Sequence, residues 1–367
     1  MVLLAVAILL TAAAGLFVLD AHIHTWTSNT AAEIASRTAA DAGLTRAVLE
    51  MNRKLKIKPW DKDLPFAINE CLPYCAATYN YTVAGNSESG YTIDSLGQAG
   101  VFTRRLNASL RLKNIFEYAI YAKTKILLDN ASRVDTQQGS ISTDPNGDGT
   151  IVNNTAEVDG KVETESWELP VIMPPSEPPF DFTRRGIAKT TVLRPKDSGR
   201  YEFIYLTMGK RLRISGCDDK AKSVILYVTG DVVLQQSSDI EIDGDSALVL
   251  YVGRNMVVHN CCRINAVAKK IEKCLIFGVS SGQGIWLDNN ANFYGVIYAP
   301  GATVCFSNNV DAVGAVVGKY VTMLNNSRLK YDRSLPDSSW LEFGLKFVVQ
   351  RWWQGQEWYH CPVFLNQ

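Results

Sequence analysis

Histidine is scarce in this chain, an excess of basic charge is absent, and the apolar run after Met1 holds no charge at all. Each shortage removes a class of function. Only four histidines exist, His22, His24, His259 and His360, and a zinc site usually draws together two close pairs of ligands. The eight cysteines supply no such set: Cys71 and Cys75 are spaced C-x3-C, Cys261 and Cys262 are adjacent, and Cys217, Cys274, Cys305 and Cys361 stand alone. Lys+Arg and Asp+Glu are equal at 37 each, which argues against nucleic acid as a partner and against an acidic solvating tail. No Ser/His/Asp set emerges either. An even cysteine count in an exported chain permits disulfides, with Cys71–Cys75 as a local loop. Cys261, Cys274 and Cys305, set in apolar strands, read as small core residues.

What is present is core material. Hydrophobic residues make up 47% and charged residues 20%, the balance of a packed protein. The run Val2–Leu19 carries no charge and Asp20 ends it. As a helix it would rise about 27 Å, close to the thickness of a bilayer's hydrocarbon. A secretory signal would open with basic residues and be shorter; here the run starts directly after Met1, as it would if the first natural residues were absent from the sequence. From Thr30 to Leu55 there is no proline, and Ile34, Ala35, Thr38, Ala42, Val48, Leu49 and Met51 recur at roughly helical spacing. One long helix is expected over 1–55, membrane-spanning first and amphipathic after.

Pro59 and Pro65 end that pattern. Thr78–Leu112 alternates apolar and polar residues between Gly85, Gly90 and Gly97, which predicts an antiparallel hairpin or meander. The loop DPNGDGT places Asp144, Asn146 and Asp148 at positions 1, 3 and 5, with Thr150 at 7, as in the first half of a calcium loop. The glutamate expected at position 12 is Thr155, so a tight Asn-Gly/Asp-Gly turn is the competing reading. Leu169–Phe182 holds five prolines and reads as an extended linker.

One element recurs through the rest of the chain: an apolar run, a small polar corner, then another apolar residue. It appears as VLQQSSDI (233–240), VVHNCCRI (257–264), WLDNNANF (286–293), VCFSNNVDAV (304–313) and TMLNNSRL (322–329), with an earlier copy, ILLDNASRV, at 126–134. A period of 20–25 residues with short strands predicts a β-solenoid whose turns share one core. Asn290, Asn309 and Asn326 recur at the corners, where asparagine tolerates left-handed backbone and can stack its amides.

The segment SRTAADAGLTRAVLEMN (36–52) resembles the stem signature of PilX-like type IV pilus assembly proteins. So do YTIDSLGQAG (91–100) and the series LYVTGDVVL, LYVGRNMVV, IYAPGATV and GAVVGKYVTMLNNSRLKYD that ends at Asp332. The resemblance implies a pilus-associated role in the cell envelope and supplies no catalytic residues. Type IV pilins carry a glutamate near the start of the apolar helix and none is present here, so it implies an accessory component rather than the filament subunit.

The expected protein is therefore mainly β and non-catalytic: an N-terminal transmembrane and stem helix (1–55), a pilin-like β region with a first solenoid turn (56–168), a Pro-rich linker (169–182), a β-solenoid body (183–335) and an aromatic-rich capping tail (336–367). It would be anchored in the membrane with its body exported, and its partners would be other pilins or envelope proteins. The rival readings are a pectinase-like enzyme using carboxylates among Asp231, Asp239, Asp243, Asp245, Asp288 and Asp311, or a protein binding surface polysaccharide through tail aromatics such as Trp352 and Trp353.

Overall fold

The structure is a computed structural model that describes residues 2–55, 63–86, 89–177, 179–216, 223–335, 345–354 and 357–360, with no side-chain description at 2–15 and 357–360. It is mainly β with one N-terminal helix, and its residues pack into two compact units, one formed by 1–113 and 345–367 and the other by 114–344.

The first unit is helix α1 (Val2–Lys54) on a six-stranded sheet. Strands β1 (Phe66–Cys71), β2 (Thr78–Asn86), β3 (Gly90–Ala99) and β4 (Phe102–Asn114) form the expected antiparallel meander, each paired with the next. Alternation sets the inner face: Tyr79, Tyr81, Val83, Ile93, Ser95, Leu106, Ala108 and Leu110 are all buried, as period-2 strands require. The described residues of the expected capping tail belong to this first unit. Leu345–Gln354 is a strand of this same sheet, and Phe347 meets the Tyr91 ring edge-on at 5.3 Å. Asn52 holds its backbone, donating to the Phe347 carbonyl at 3.0 Å and accepting from its N–H at 2.7 Å. Trp340 lies outside the described residues.

The second unit is built from parallel strands in three columns. In the first, Leu212, Ile240, Ile264, Phe293, Ala312, Leu329 and Val134 lie in successive register. In the second the series is Leu226, Leu250, Ile276, Ile297, Val316 and Ile120. In the third it is Ile204, Val232, Met256, Ile285, Val304, Val321 and Ile126. All of these side chains are buried. Each turn leaves its apolar edge incomplete until the next covers it, so one core runs through the whole unit.

The expected linker is not a linker. Residues on both sides of it belong to the same unit, because β5 (Tyr118–Leu128), β6 (Arg133–Thr143), β7 (Gly149–Val152) and β8 (Glu157–Thr164) stack beyond the last turn rather than before the first. The chain must then return along the stack to begin again at Thr183, and 165–182 is that strap. Tyr121 Oη donates to the Glu165 carbonyl at 3.1 Å and Tyr298 Oη to that of Pro170 at 3.0 Å. Leu169 and Ile172 pack on the core, and Trp167 and Phe180 are buried. Proline suits such a crossing, since a segment running along the outside has no ladder for its N–H groups to join.

Corners between the third column and the first repeat one conformation. Two consecutive residues have positive φ at Asn130–Ala131, Asn154–Thr155, Gln236–Ser237, Asn260–Cys261, Asn289–Asn290, Asn308–Asn309 and Asn325–Asn326. The N–H of the second residue in one corner donates to the carbonyl of the first in the next: Ser237 to Asn260, Cys261 to Asn289, Asn290 to Asn308, Asn309 to Asn325, Asn326 to Asn130, Ala131 to Asn154. The stacked amides sit one residue earlier than expected. Asn130 Nδ2 donates to Asn325 Oδ1 at 3.0 Å and Asn325 Nδ2 to Asn308 Oδ1 at 2.8 Å.

Candidate functional site

The features that set this chain apart functionally gather on α1. Of the apolar positions read at helical spacing, Met51 is buried and Ala35, Ala42 and Val48 pack against the same core, whereas Ile34, Thr38 and Leu49 are exposed; the fully covered stripe is Ser36, Ala39, Ala40, Ala47 and Met51, with Gly43 among them. The reason is distance. Gly97 of β3 lies so close to the helix that a Cβ there would run into the Ser36 carbonyl oxygen and the Ala40 nitrogen, and a Cβ on Gly43 would run into Ser95 Oγ. Small residues on both sides let two backbones touch, and Ser95 Oγ completes the joint by donating to the Ala40 carbonyl at 2.7 Å.

The AADAGL stretch of the stem and the YTIDSLGQAG stretch of the sheet are thus two halves of one contact. Sequence reading found both segments but not their meeting; the signal was the coincidence of Ala/Gly on the helix with Ser-x-Gly on a strand.

Before this joint, the described apolar side chains of α1 are exposed. Leu16, Phe17, Val18, Leu19, Ile23 and Trp26 are each more than half exposed. Among the described residues no helix is long and apolar enough to cross a membrane; most of Val2–Leu19, on which that expectation rests, lies outside the side-chain description. Beside the joint, Glu33, Ile34, Arg37, Arg104 and Gln354 line an open cavity of about 230 Å³, where Arg104 pairs with Glu33.

The residues of the calcium reading fall on the second unit, in the connection from β6 to β7. Asp144 Oδ1 accepts from the N–H and the side-chain amide of Asn146 (3.0 and 3.2 Å), and Oδ2 accepts from Ser166 Oγ at 3.1 Å. The Asp148 N–H donates to the Thr124 carbonyl at 2.6 Å, and Thr150 sits in β7 opposite Ile126. The loop closes as a turn through its own groups. Among the described residues no group of three or more His, Cys, Asp or Glu could hold a metal.

Most of the carboxylates that a polysaccharide-cleaving enzyme would need are engaged with neighbours. Asp239, almost fully buried, takes a bidentate bond from Arg263 at 3.0 and 2.8 Å. Asp243 accepts from Arg213 at 2.5 Å, Asp245 from Lys270 at 3.4 Å and Asp231 from the Asn255 N–H at 3.0 Å. Asp288 accepts from Asn308 at 2.7 Å and faces His259 at 3.5 Å. These are ladder bonds between stacked turns. Cys71, Cys75, Cys261, Cys262, Cys274 and Cys305 are free thiols. Cys261 is exposed at a corner rather than packed in the core, and burial pushes the Cys274 thiol up to about 12.

Residues 175–338 match a family model described as a domain of unknown function (DUF7305). No curated protein matches the chain. Similar solved structures include the DUF3494 domain of ice-binding protein 1 from Shewanella frigidimarina, at 14% identity over 59% of this chain and 95% of that one, with a TM-score of 0.37. The competence-associated pilin ComZ from Thermus thermophilus is 11% identical over 90% of this chain and 98% of its own, with a TM-score of 0.34. An ice-binding protein from the Antarctic ascomycete Antarctomyces psychrotrophicus is 13% identical over 58% and 93%, with a TM-score of 0.31.

Proposed function

We propose that this chain is a non-catalytic, pilin-like accessory component of a type IV pilus-like or related cell-envelope apparatus, with α1 as its anchor and assembly element and a β-solenoid as its exported body. The observation that carries this is the division of α1. Its later half is locked to a sheet through small residues, while its earlier half presents Leu16, Phe17, Val18, Leu19, Ile23 and Trp26 with nothing against them. Leaving that surface in water would cost on the order of 10 kcal/mol at about 25 cal/mol per Å². A bilayer removes the cost before assembly, and packing against the equivalent helices of other pilins removes it afterwards. The parallel three-column pairing supports the solenoid reading, since it satisfies strand edges internally along the whole body.

Fractionation tests the proposal. The full chain is expected in the membrane fraction, released by detergent and not by salt, and a chain starting at Thr30 is expected in the soluble fraction. Recovery of the full chain as soluble protein would overturn the reading.

A further inference from the structure

The outward side of the third column carries a row with few charges: Tyr205, Val233, Val257, Trp286, Cys305, Thr322 and Leu127 follow one another in register. Trp286 is the centre of this row. A Cβ added to Gly284 would fall within the Trp286 indole, nearly equidistant from Cζ2, Cη2 and Cζ3 of its six-membered ring. Near-equal reach to three ring carbons means that the ring lies flat over the glycine, not edge-on to it. One π face is thereby turned to the strand, and Trp286 is 38% exposed. Glycine at 284 is what makes room for this.

Hydrogen-bonding groups lie at the Gly284 end of the strand, over which the ring is laid. Thr303 is the register neighbour of Gly284, and Asn255 Oδ1 accepts the Gly284 N–H at 3.0 Å. Neither lysine nor arginine is among these bordering residues. Three turns away, Tyr205 is also exposed, about 14 Å off at ~4.8 Å per turn.

We infer that this row is a binding face for a linear, neutral polysaccharide, with Trp286 as its stacking platform. A flat indole lying on the strand and partly exposed matches the C–H face of a pyranose ring, and the Asn255 amide and Thr303 hydroxyl at its Gly284 end match equatorial hydroxyls. The Trp286–Tyr205 separation spans about three sugar units, at an assumed length of ~5 Å each, along a chain lying parallel to the stack. A protein partner fits less well: one row of side chains is far narrower than the ~800 Å² per partner of a stable interface. The inference stands on the second unit alone and does not depend on the role of α1.

The test is calorimetric titration of the detergent-solubilised full chain with cellohexaose and chitohexaose, alongside pull-down on microcrystalline cellulose and chitin. Binding to at least one of these is expected, weakened at least tenfold in Trp286→Ala and in Gly284→Ala, which displaces the ring without removing it. Trp352→Ala, on the first unit, is expected to bind as the parent does. Far-UV circular dichroism identical to the parent shows that the variants are folded. Absence of binding to all four probes, or equal binding by Trp286→Ala, would overturn the inference.

Discussion

Ser95 Oγ donates a hydrogen bond to the Ala40 carbonyl at 2.7 Å, tying a strand to a helix residue 55 positions earlier in the chain. Both groups are fully buried, and a mid-helix carbonyl already serves its own ladder. The extra bond therefore reports how close the two backbones lie.

That closeness gives the first prediction. Gly97→Ala places a methyl group against the backbone at Ser36 and Ala40, which cannot move aside as a flexible side chain would. A loss of about 1–3 kcal/mol is expected for overpacking of this kind. Ser95→Ala removes only the bond and is expected to lose about 1 kcal/mol. Urea unfolding of the full chain, followed by proteolysis within 1–113, measures both, and Gly97→Ala must be the worse of the two.

At the corner of the last turn, Asn325 has φ 52° and its amide bridges Asn308 and Asn130. Asn325→Ala loses both side-chain bonds and forces alanine into the left-handed region, at roughly 1–2 kcal/mol. Asn325→Gly loses the bonds but keeps the backbone unstrained, so it should cost measurably less. Equal melting temperatures for the two variants would mean that backbone strain is not what asparagine relieves there.

The thiols divide by exposure. Cys71, Cys75 and Cys261 are exposed and Cys274 is buried, its thiol pushed up to about 12 by loss of solvation. With iodoacetamide at pH 8, peptide mass spectrometry should find the three exposed cysteines alkylated and Cys274 unmodified until the protein unfolds. The same shift has a sign for stability. Unfolded Cys274 ionises near pH 8.5–9 while the folded thiol keeps its proton. Its contribution is therefore complete below that range and declines as pH rises toward about 12.

The loop Asp144–Asp148 yields a chelation test. Both oxygens of Asp144 accept bonds from Asn146 and Ser166, which is the arrangement of a self-supported turn. Thermal melts with EDTA and with millimolar calcium are expected to coincide. A rise in melting temperature on adding calcium, abolished in Asp144→Asn, would instead assign an ion to Asp144, Asn146 and Asp148.

How much was legible depended on whether a signal was periodic. Strand alternation located the meander, and the recurring corner located the turns, because each turn must repeat apolar positions to share a core. The copy at 126–134 was recognised as a repeat, yet its place was not: it pairs with 322–330, and nothing local encodes a partner so far away. The proline-rich strap was misread for the same reason, since an extended segment looks alike whether it separates domains or crosses one. On α1, periodicity found Ala35, Ala42, Val48 and Met51 but passed over Ser36, Ala39, Ala40 and Gly43, because it weighs side-chain size and this contact uses small residues. Trp286 was seen only as a member of a repeat; that it lies flat follows from a glycine two residues before it, a pair that spacing alone does not mark.

The stacking order also sets a schedule for synthesis. Strands β5–β8 leave the ribosome before the rest of the unit, but the face that β5 and β6 pair with, Asp311–Lys330, is among the last parts of the unit to be made. Tyr331 then closes the seam by donating to the Phe116 carbonyl at 2.6 Å, across 215 residues. During that interval β5 and β6 can pair with β7 and β8 on one side only. The outermost of them, β8, carries Glu157, Asp159, Lys161 and Glu163 along a largely exposed strand, and charges of this kind discourage edge-to-edge association. A nascent chain of this protein has to wait for its own end.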